Sequence, residues 1–217
     1  MKILLSIYSI IVFNCLSAQG SYKLAVLKYQ GGGDWYANLE TSLPNLIRFC
    51  NERLNMHIDP EQSIVEPLSP ELTQYPFIHV TGHGRITLNA EELARLGMYL
   101  KAGGFLHVSD NYGMDTYIRP ILNKLIPGTS LVPIPANHAI FSAFYKFPKG
   151  LPKIHEHDGK PAQGFGLIYN GKLVCFFSYE ADLGNGWEDQ SVYNDPEEKR
   201  QEALKMGANL IELAFKK

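Results

Sequence analysis

The chain has 217 residues, of which 45% are hydrophobic and 19% are charged, as is typical of one globular domain of moderate size. Its 20 Lys and Arg residues nearly balance its 22 Asp and Glu residues, so the sequence lacks the overall positive charge that binds nucleic acids or anionic membranes. We therefore expect no nucleic-acid partner. The 12 Tyr and 11 Phe residues supply enough apolar surface for a packed core, which argues against intrinsic disorder.

Residues 1–18 have the pattern of a signal peptide. Lys2 precedes an apolar run over residues 3–13, and small residues at positions 17 and 18 end the segment. The apolar run is shorter than the roughly 20 residues that cross a bilayer, so we expect cleavage rather than a retained anchor. The sequence therefore predicts a periplasmic or secreted protein without a membrane span in its mature chain.

The mature chain, residues 19–217, is expected to form a single domain. Lipid attachment at Cys15 is the weaker alternative, because Asn14 stands where a small residue normally precedes a lipidated cysteine. Cys50 falls in an apolar helical pattern and Cys175 in an apolar strand pattern. We expect two buried thiols rather than a disulfide bond.

Short apolar runs alternate with segments of helical periodicity along the chain, which predicts an α/β domain with a mainly parallel sheet. Strands are predicted at residues 23–29, 63–68, 77–81, 105–109 and 131–134, and helices over residues 43–54, 90–102 and 116–125. Asn89 and Glu92 have the spacing of a capping box at the start of the second helix. Gly103 marks its end.

The C-terminal part of the chain has a different pattern. Two β-rich runs, residues 164–169 and 172–178, are separated by Asn170-Gly171, which is a strong hairpin signal. This hairpin predicts an antiparallel edge on the sheet. Asp195-Pro196 then precedes a final amphipathic helix, which completes a three-layer domain.

The chemically unusual segments directly follow predicted strands. In open α/β sheets the carboxyl ends of parallel strands form the ligand-binding edge, so we expect these segments to meet in one site. The segments are residues 31–36 (GGGDWY), 81–84 (TGHG), 109–113 (SDNYG), 136–141 (ANHAIF) and 180–187 (EADLGNGW).

The first two segments offer backbone amides and an imidazole. The glycines at 31–33 let the backbone approach an anion, and Trp35 offers a stacking surface, but a tight structural turn is an equal alternative. The segment lacks the G-x-G-x-x-G fingerprint of dinucleotide sites. In the second segment, Gly82 and Gly84 leave the His83 imidazole free to bind a metal or move a proton, although a structural histidine is the commoner case.

The later segments offer carboxylates. Asp110 follows the central strand, where α/β enzymes often carry a nucleophile, and Glu180 and Asp182 follow the hairpin. With His83 and His138 these carboxylates would form a metal site or share acid–base catalysis. The structural alternative is helix capping by Asp110 and turn bonding by Asp182.

Four other histidines are predicted to lie outside the site. His79 and His107 lie in strands and are expected in the core. His155 and His157 have the H-x-H spacing of some metal ligands, but no other ligand type near them in sequence completes a site. We therefore predict a solvated loop at residues 155–158.

Taken together, the motifs resemble a bacterial domain family of unknown function that is similar to class I glutamine-amidotransferase-like proteins and, more distantly, to the trehalose-utilisation family. The resemblance implies a flavodoxin-like three-layer fold and an exported protein, with no established activity to carry across. The matching segments are residues 27–29, 32–36, 75–77, 81–84, 99–100, 103–106, 138–141, 182–184 and 186–188.

The chain departs from the amidotransferase pattern at the nucleophile. Glutamine hydrolysis requires a Cys at the strand-to-helix turn, where this chain has Ser109 and Asp110. Glutaminase activity is therefore not expected. The family more often carries an acidic pair at these two positions, which weakens a two-carboxylate mechanism here.

Two functions remain. The first is non-catalytic binding of a sugar, a glycan fragment or an envelope protein, without a cofactor. The second is a hydrolase in which His83, His138 and either Asp110 or Asp182 hold a divalent metal, with Glu180 or the remaining histidine as the general base. The residues expected to line the ligand site are Gly32, Gly33, Asp34, Trp35, Tyr36, Gly82, His83, Asp110, Asn111, Tyr112, His138, Asp182 and Trp187.

Overall fold

The computed structural model describes residues 22–216, which form one seven-stranded sheet with helices packed on both faces. The strands are β1 (Ala25–Leu27), β2 (Ser63–Val65), β3 (Phe77–Val80), β4 (Phe105–Ser109), β5 (Val132–Pro133), β6 (Gln163–Tyr169) and β7 (Lys172–Tyr179). The helices are α1 (Ser42–Leu54), α2 (Ala90–Lys101), α3 (Asp115–Leu125), α4 (Leu183–Trp187), α5 (Gln190–Tyr193) and α6 (Glu197–Phe215). Short 3-10 helices cover Pro70–Gln74 and Ala139–Phe141.

The sheet is parallel over most of its width, in the order β2-β1-β3-β4-β7-β6-β5. The first five strands in this order are mutually parallel, whereas β6 is antiparallel to both β7 and β5. Asn170 (φ 48°) and Gly171 (φ 75°) both have the left-handed backbone that a tight two-residue hairpin requires. The predicted mixed sheet with an antiparallel edge is confirmed, and its architecture is consistent with a flavodoxin-like fold.

Alternation along the central strands creates two hydrophobic cores. In β4, Phe105 packs in the core formed with α1, α4 and α6, while Leu106 and Val108 pack in the core formed with α2 and α3. In β7, Phe176 and Phe177 divide in the same way. A sheet buried on both faces explains why apolar residues in these strands occur in consecutive runs and do not alternate with polar ones.

Local sequence signals position the helix ends. The capping box at the start of α2 is confirmed, because the Asn89 Oδ1 accepts from Glu92 N at 3.0 Å and the Glu92 Oε2 accepts from Asn89 N at 2.7 Å. The final helix begins at Glu197, directly after the predicted Asp195-Pro196 start. Helix α4 lies in the segment 180–187, which the sequence predicted as a loop, and the short helix α5 follows it.

Three further sequence predictions concern the cysteines, the N-terminal segment and membrane-spanning helices. Cys50 and Cys175 are both buried and free, as expected. The predicted signal peptide, residues 1–18, and Cys15 within it lie outside the described residues. Within residues 22–216 no helix is both long enough and apolar enough to span a membrane.

Candidate functional site

Four of the five predicted loops meet at the carboxyl edge of the sheet. The loops after β1 and β3 are joined by the Gly33 amide, which donates to the Arg85 carbonyl at 2.8 Å. The loops after β3 and β4 are joined by the Asn111 amide, which donates to the Gly82 carbonyl at 3.3 Å. The α4 segment joins them because the Gly184 amide donates to the Ser109 hydroxyl at 3.1 Å.

The fifth loop lies elsewhere. His138 lines a cavity of about 280 Å³ together with Gly104 and Lys172, which lie just before β4 and at the start of β7. These positions are the amino ends of the strands, so His138 is not part of the carboxyl-edge cluster. Its Nδ1 instead accepts from the Ile140 amide at 3.1 Å and caps a short 3-10 helix, and burial lowers its pKa. Assigning His138 to the same ligand or metal site as His83 was therefore wrong.

The glycine-rich segment after β1 makes a tight turn. A Cβ on Gly33 would lie 2.7 Å from the carbonyl oxygens of both His83 and Arg85, so only glycine allows this approach. Because the Gly33 amide is already bonded within the protein, it is not available to bind an anion. Gly32 has open space around its Cβ position, and Tyr36 is exposed.

Asp34 orients His83 at this edge. The Asp34 carboxylate accepts from the His83 backbone amide with Oδ1, and its Oδ2 lies 2.9 Å from the His83 Nδ1. Both side chains are partly exposed to solvent. The carboxylate therefore fixes the imidazole through Nδ1, so that Nε2 remains for a ligand or a proton transfer.

Asp110 caps the turn that leads into α3. Its Oδ1 accepts from the amides of Tyr112 and Met114, both at 3.0 Å. Burial raises the pKa of the Asp110 carboxyl, the two amide donors lower it, and the nearby carboxylates of Asp115 and Asp182 raise it, with a net increase. The structural role expected for Asp110 is thus present, and the same environment favours its protonated form.

Asp182 lies among the polar side chains at the carboxyl edge and contacts two histidines. It is fully buried and has a left-handed backbone (φ 54°) that is unusual for a residue other than glycine. Its Oδ2 contacts His155 Nδ1 at 3.2 Å and also contacts His157 Nε2. Its Oδ1 is buried without a hydrogen-bond partner among the described residues.

His155 and His157 therefore belong to the candidate site. Residues 155–158 form a loop whose residues 156–158 are exposed, as predicted, but the expectation that no other ligand type completes a site with these histidines was wrong, since both contact Asp182. His155 Nε2 lies 2.9 Å from both carboxylate oxygens of Asp195. The hydrogen bond with Asp182 raises the pKa of His155, burial lowers it, and Asp195 raises it further, with a net increase. The His157 ring stacks on Tyr112 with the centroids 4.7 Å apart.

A buried amide network supports the cluster. The Thr81 hydroxyl donates to Asn38 Oδ1 at 2.8 Å, which also accepts from the Asn111 side-chain amide. The Asn38 amide in turn donates to Asn185 Oδ1 at 2.8 Å, which links the network to α4. Asn38 and Asn185 could not be singled out from the sequence, because amides that pair only in the tertiary structure give no local signal.

Trp187 and Glu180 are both buried and make contacts within the protein. The Trp187 indole is fully buried, donates from Nε1 to the Ala203 carbonyl at 2.8 Å and packs on the rings of His79 and His107. A ligand-stacking role for Trp187 was therefore wrong. The core placement of the two histidines is confirmed, and burial lowers the pKa of His79 to about 3. Glu180 is buried against Lys153 at 3.3 Å.

Within residues 22–216 no group of three or more His, Cys, Asp or Glu side chains has the arrangement of a metal site. The sequence-based set of His83, His138 and Asp110 or Asp182 is not assembled, since His138 lies at the opposite edge of the sheet.

The chain belongs to a family described as a domain of unknown function (DUF4159), whose model matches residues 23–215. No curated protein matches the chain. The expected membership of a family of unknown function is thus confirmed, while the likeness to amidotransferase-like and trehalose-utilisation proteins stays a prediction.

Proposed function

We propose that the carboxyl edge of the sheet binds a small hydroxyl-bearing ligand, a sugar or glycan fragment, and that the protein does so as an exported domain of the cell envelope. The observation that carries this proposal is the Asp182 carboxylate. One of its oxygens is bonded to two histidines, whereas the other is buried without a partner.

A buried carboxylate oxygen without a donor is costly. An unsatisfied buried polar group costs about 1–3 kcal/mol, and more when it is charged. A ligand O–H or N–H would supply the missing donor. Because Asp182 is fully buried, the ligand reaches it when the exposed loop around His157, which contacts the carboxylate, moves aside. The left-handed backbone of Asp182 supports this proposal, because strained backbone is concentrated at functional sites.

The rings of Tyr112 and His157 provide an apolar surface beside this carboxylate. Tyr112 is 49% exposed, and its ring is held parallel to the imidazole at an interplanar angle of 19°. Sugars present C–H faces that pack on aromatic rings, and hydroxyl groups that bond to carboxylates. Asp34 and His83 add further polar groups at the same edge.

The test is saturation-transfer NMR on residues 19–217 with glucose, N-acetylglucosamine and cellobiose as probes. We expect at least one probe to bind and Tyr112→Ala to weaken it about tenfold, because the stacking surface is removed. Tyr117→Ala is the matched control, since Tyr117 is 44% exposed on α3 and should leave binding unchanged. If no probe binds, or if the two variants bind equally, the sugar assignment is wrong and an envelope protein becomes the partner to test.

Asp182→Asn separates the carboxylate from the aromatic surface. The amide keeps the shape of the side chain but removes the charge that faces His155 and His157. We expect loss of binding with the fold retained, as judged by near-ultraviolet circular dichroism. Unchanged affinity in a folded Asn variant would contradict the role of Asp182.

A second candidate is hydrolysis of the bound ligand. The Asp34–His83 pair favours it, because a carboxylate that fixes Nδ1 leaves Nε2 as a general base toward water. The raised pKa of Asp110 suits a general acid that protonates the leaving group. Both groups lie in loops that meet at the carboxyl edge.

This candidate is tested with 4-nitrophenyl glycosides. We expect His83→Ala to lower kcat by a factor of about 10² to 10⁴, as for loss of a general base. His57→Ala, at an exposed histidine near Tyr22, is the matched control. Turnover that survives in His83→Ala would remove the hydrolase candidate and leave the binding proposal intact.

The binding proposal includes no cofactor. We test this by measuring the metal content of the wild-type protein and of His157→Gln, both purified without chelator, by elemental analysis. A stoichiometric metal that is lost in the variant would overturn this part of the proposal and assign His157 as a ligand.

A further inference from the structure

The loop between the Ala139–Phe141 helix and β6 has a distinctive composition. Residues 142–152 (SAFYKFPKGLP), here called the lysine–aromatic loop, contain three aromatic residues, two lysines and no acidic residue. The loop lies on the α1 and α6 side of the sheet. It ends at Pro152, three residues before His155, which contacts Asp182 at the carboxyl edge. It lines an open groove of about 520 Å³ together with Lys205 of α6.

A buried asparagine holds this loop in place. The Asn209 Oδ1 accepts from the amides of Phe144 and Tyr145 at 3.0 and 2.7 Å. Its side-chain amide donates to the carbonyls of Ile140 and Tyr145 at 3.0 and 2.7 Å. With its four bonds satisfied inside the protein, Asn209 fixes the backbone from which Phe144 projects, 50% exposed.

The charges around the groove are mostly positive. Lys146 and Lys149 are exposed, and Lys205 Nζ lies 5.9 Å from the centre of the Tyr145 ring. Glu202 is the acidic residue that lines the groove, and it pairs with Lys199 at 3.9 Å. An exposed aromatic ring on a fixed backbone, followed in the same loop by exposed lysines, is the chemistry that suits a membrane interface, where rings enter the headgroup layer and ammonium groups meet anionic phosphates.

The first described residue lies near this loop. Tyr22, the first described residue, packs edge-on against Phe215 with the centroids 4.9 Å apart. The following residue, Lys216, donates from Nζ to the Ala143 carbonyl at 3.5 Å. The start of the described chain and the start of the loop are thus linked through the end of α6.

We propose that the lysine–aromatic loop docks the domain on an anionic phospholipid bilayer, with Phe144 entering the interface and Lys146, Lys149 and Lys205 contacting the headgroups. The near-neutral total charge of the chain does not reveal this surface, because the excess of positive charge is local: three lysines and one glutamate line the groove. The docking surface is independent of the proposed sugar site, and neither inference depends on the other.

The test is co-sedimentation of residues 19–217, the complete described domain without the apolar N-terminal run, with phosphatidylcholine vesicles that contain 0 or 30% phosphatidylglycerol. We expect binding to the anionic vesicles alone, and weaker binding at high salt. Lys146→Gln with Lys149→Gln should lower the partition coefficient roughly 30-fold, at about fivefold per lysine. Phe144→Ser should lower it about tenfold by removing the apolar group that enters the interface.

Matched controls lie on the opposite face of the sheet. Lys101→Gln with Lys124→Gln removes two exposed lysines from α2 and α3, and Met98→Ser removes an apolar side chain that is 53% exposed. Both should bind vesicles like the wild type. The proposal is overturned if the wild type does not bind anionic vesicles, or if the loop variants bind as well as their controls. Heparin, a soluble polyanion, is the last control. The proposal is also overturned, in favour of a polyanion site, if the protein binds heparin as tightly as anionic vesicles and if Phe144→Ser leaves both affinities unchanged.

Discussion

The two ends of the parallel strands differ in their backbone and in their polar groups. Among the described residues, those with a left-handed backbone other than glycine are Tyr112, Glu180 and Asp182, all at the carboxyl edge, and the asparagines Asn55, Asn170 and Asn194. At the amino edge, His138 has an ordinary extended backbone (φ −65°, ψ 145°) and caps a short helix.

The difference indicates where the fold carries strain. Asparagine tolerates the left-handed region well, whereas a tyrosine with φ 103° or a buried aspartate is held there only by its surroundings, at a cost of about 1–3 kcal/mol each. Together with the unpartnered Asp182 oxygen, this strain makes the carboxyl edge the functional candidate. The amino edge has a cavity and a histidine, but the described residues with a left-handed backbone there are glycines and asparagines. Its buried oxygen without a partner is a neutral amide oxygen, Oε1 of Gln62 just before β2, and not a carboxylate.

The largest expected effect is on the free energy of unfolding, and it distinguishes a core residue from a site residue at the carboxyl edge. Trp187→Ala should lower the free energy of unfolding by about 3–5 kcal/mol, because it removes a fully buried indole. Trp35→Ala should cost less, since Trp35 is only partly buried. Urea denaturation measures both. A small loss for Trp187→Ala would mean that this end of α4 is not a packed core.

His155→Gln should lower the free energy of unfolding by about 2 kcal/mol at pH 6, because Asp182 and Asp195 lose their shared cation. The folded-state pKa of His155 is raised above its ordinary value of 6.5. Its contribution is therefore complete below about pH 6.5 and is lost as the pH rises through the folded-state pKa.

The measurement is the urea midpoint of wild type and His155→Gln from pH 5 to pH 9. The gap between the two proteins should narrow as the pH rises. A constant gap would show that His155 acts through packing alone.

Asp110→Asn should stabilise the protein by on the order of 1 kcal/mol at pH 7. The folded-state pKa of Asp110 is raised, so ionisation at neutral pH costs stability that the amide avoids, while the amide oxygen still accepts from Tyr112 and Met114. The gain should shrink as the pH falls toward the ordinary value of 3.8. Thermal unfolding at pH 4 and pH 7 measures it, and a loss of stability at pH 7 would contradict the raised pKa.

The smallest effect is expected at the amino edge. His138→Asn keeps a side-chain acceptor for the Ile140 amide and should change the free energy of unfolding by less than about 0.5 kcal/mol. Sugar binding should be unchanged. Reduced binding in this variant would show that the two edges are coupled and would undo the contrast between them.

Local signals in the sequence determined most of the fold. The Asn89–Glu92 capping box and the Asn170-Gly171 turn are complete within a few residues, so their geometry can be read from residue types. The apolar strands likewise predicted a sheet buried on both faces. Helix α4 was not predicted, because Leu183–Trp187 contains two glycines, which disfavour a helix. Its contacts with α1 and α6 stabilise it instead.

The sequence also predicted which edge of the sheet would carry the site, because parallel strands bring their carboxyl ends together. Asp34, His83, Asp110 and Asp182 were found in this way. The partners of Asp182 were not, since His155 and His157 precede it by more than 20 residues and belong to a loop with no strand before it. Only long-range packing brings these imidazoles to the carboxylate.

Tertiary structure alone decided which candidates are open to a ligand. Trp187 and Tyr112 are both aromatic residues in polar, glycine-containing segments, yet one is fully buried and the other is half-exposed. Burial depends on which helix covers a segment, and residue types do not specify that. The same reason applies to the lysine–aromatic loop, since only the fold places Lys205 of α6 at the groove that Lys146 and Lys149 line.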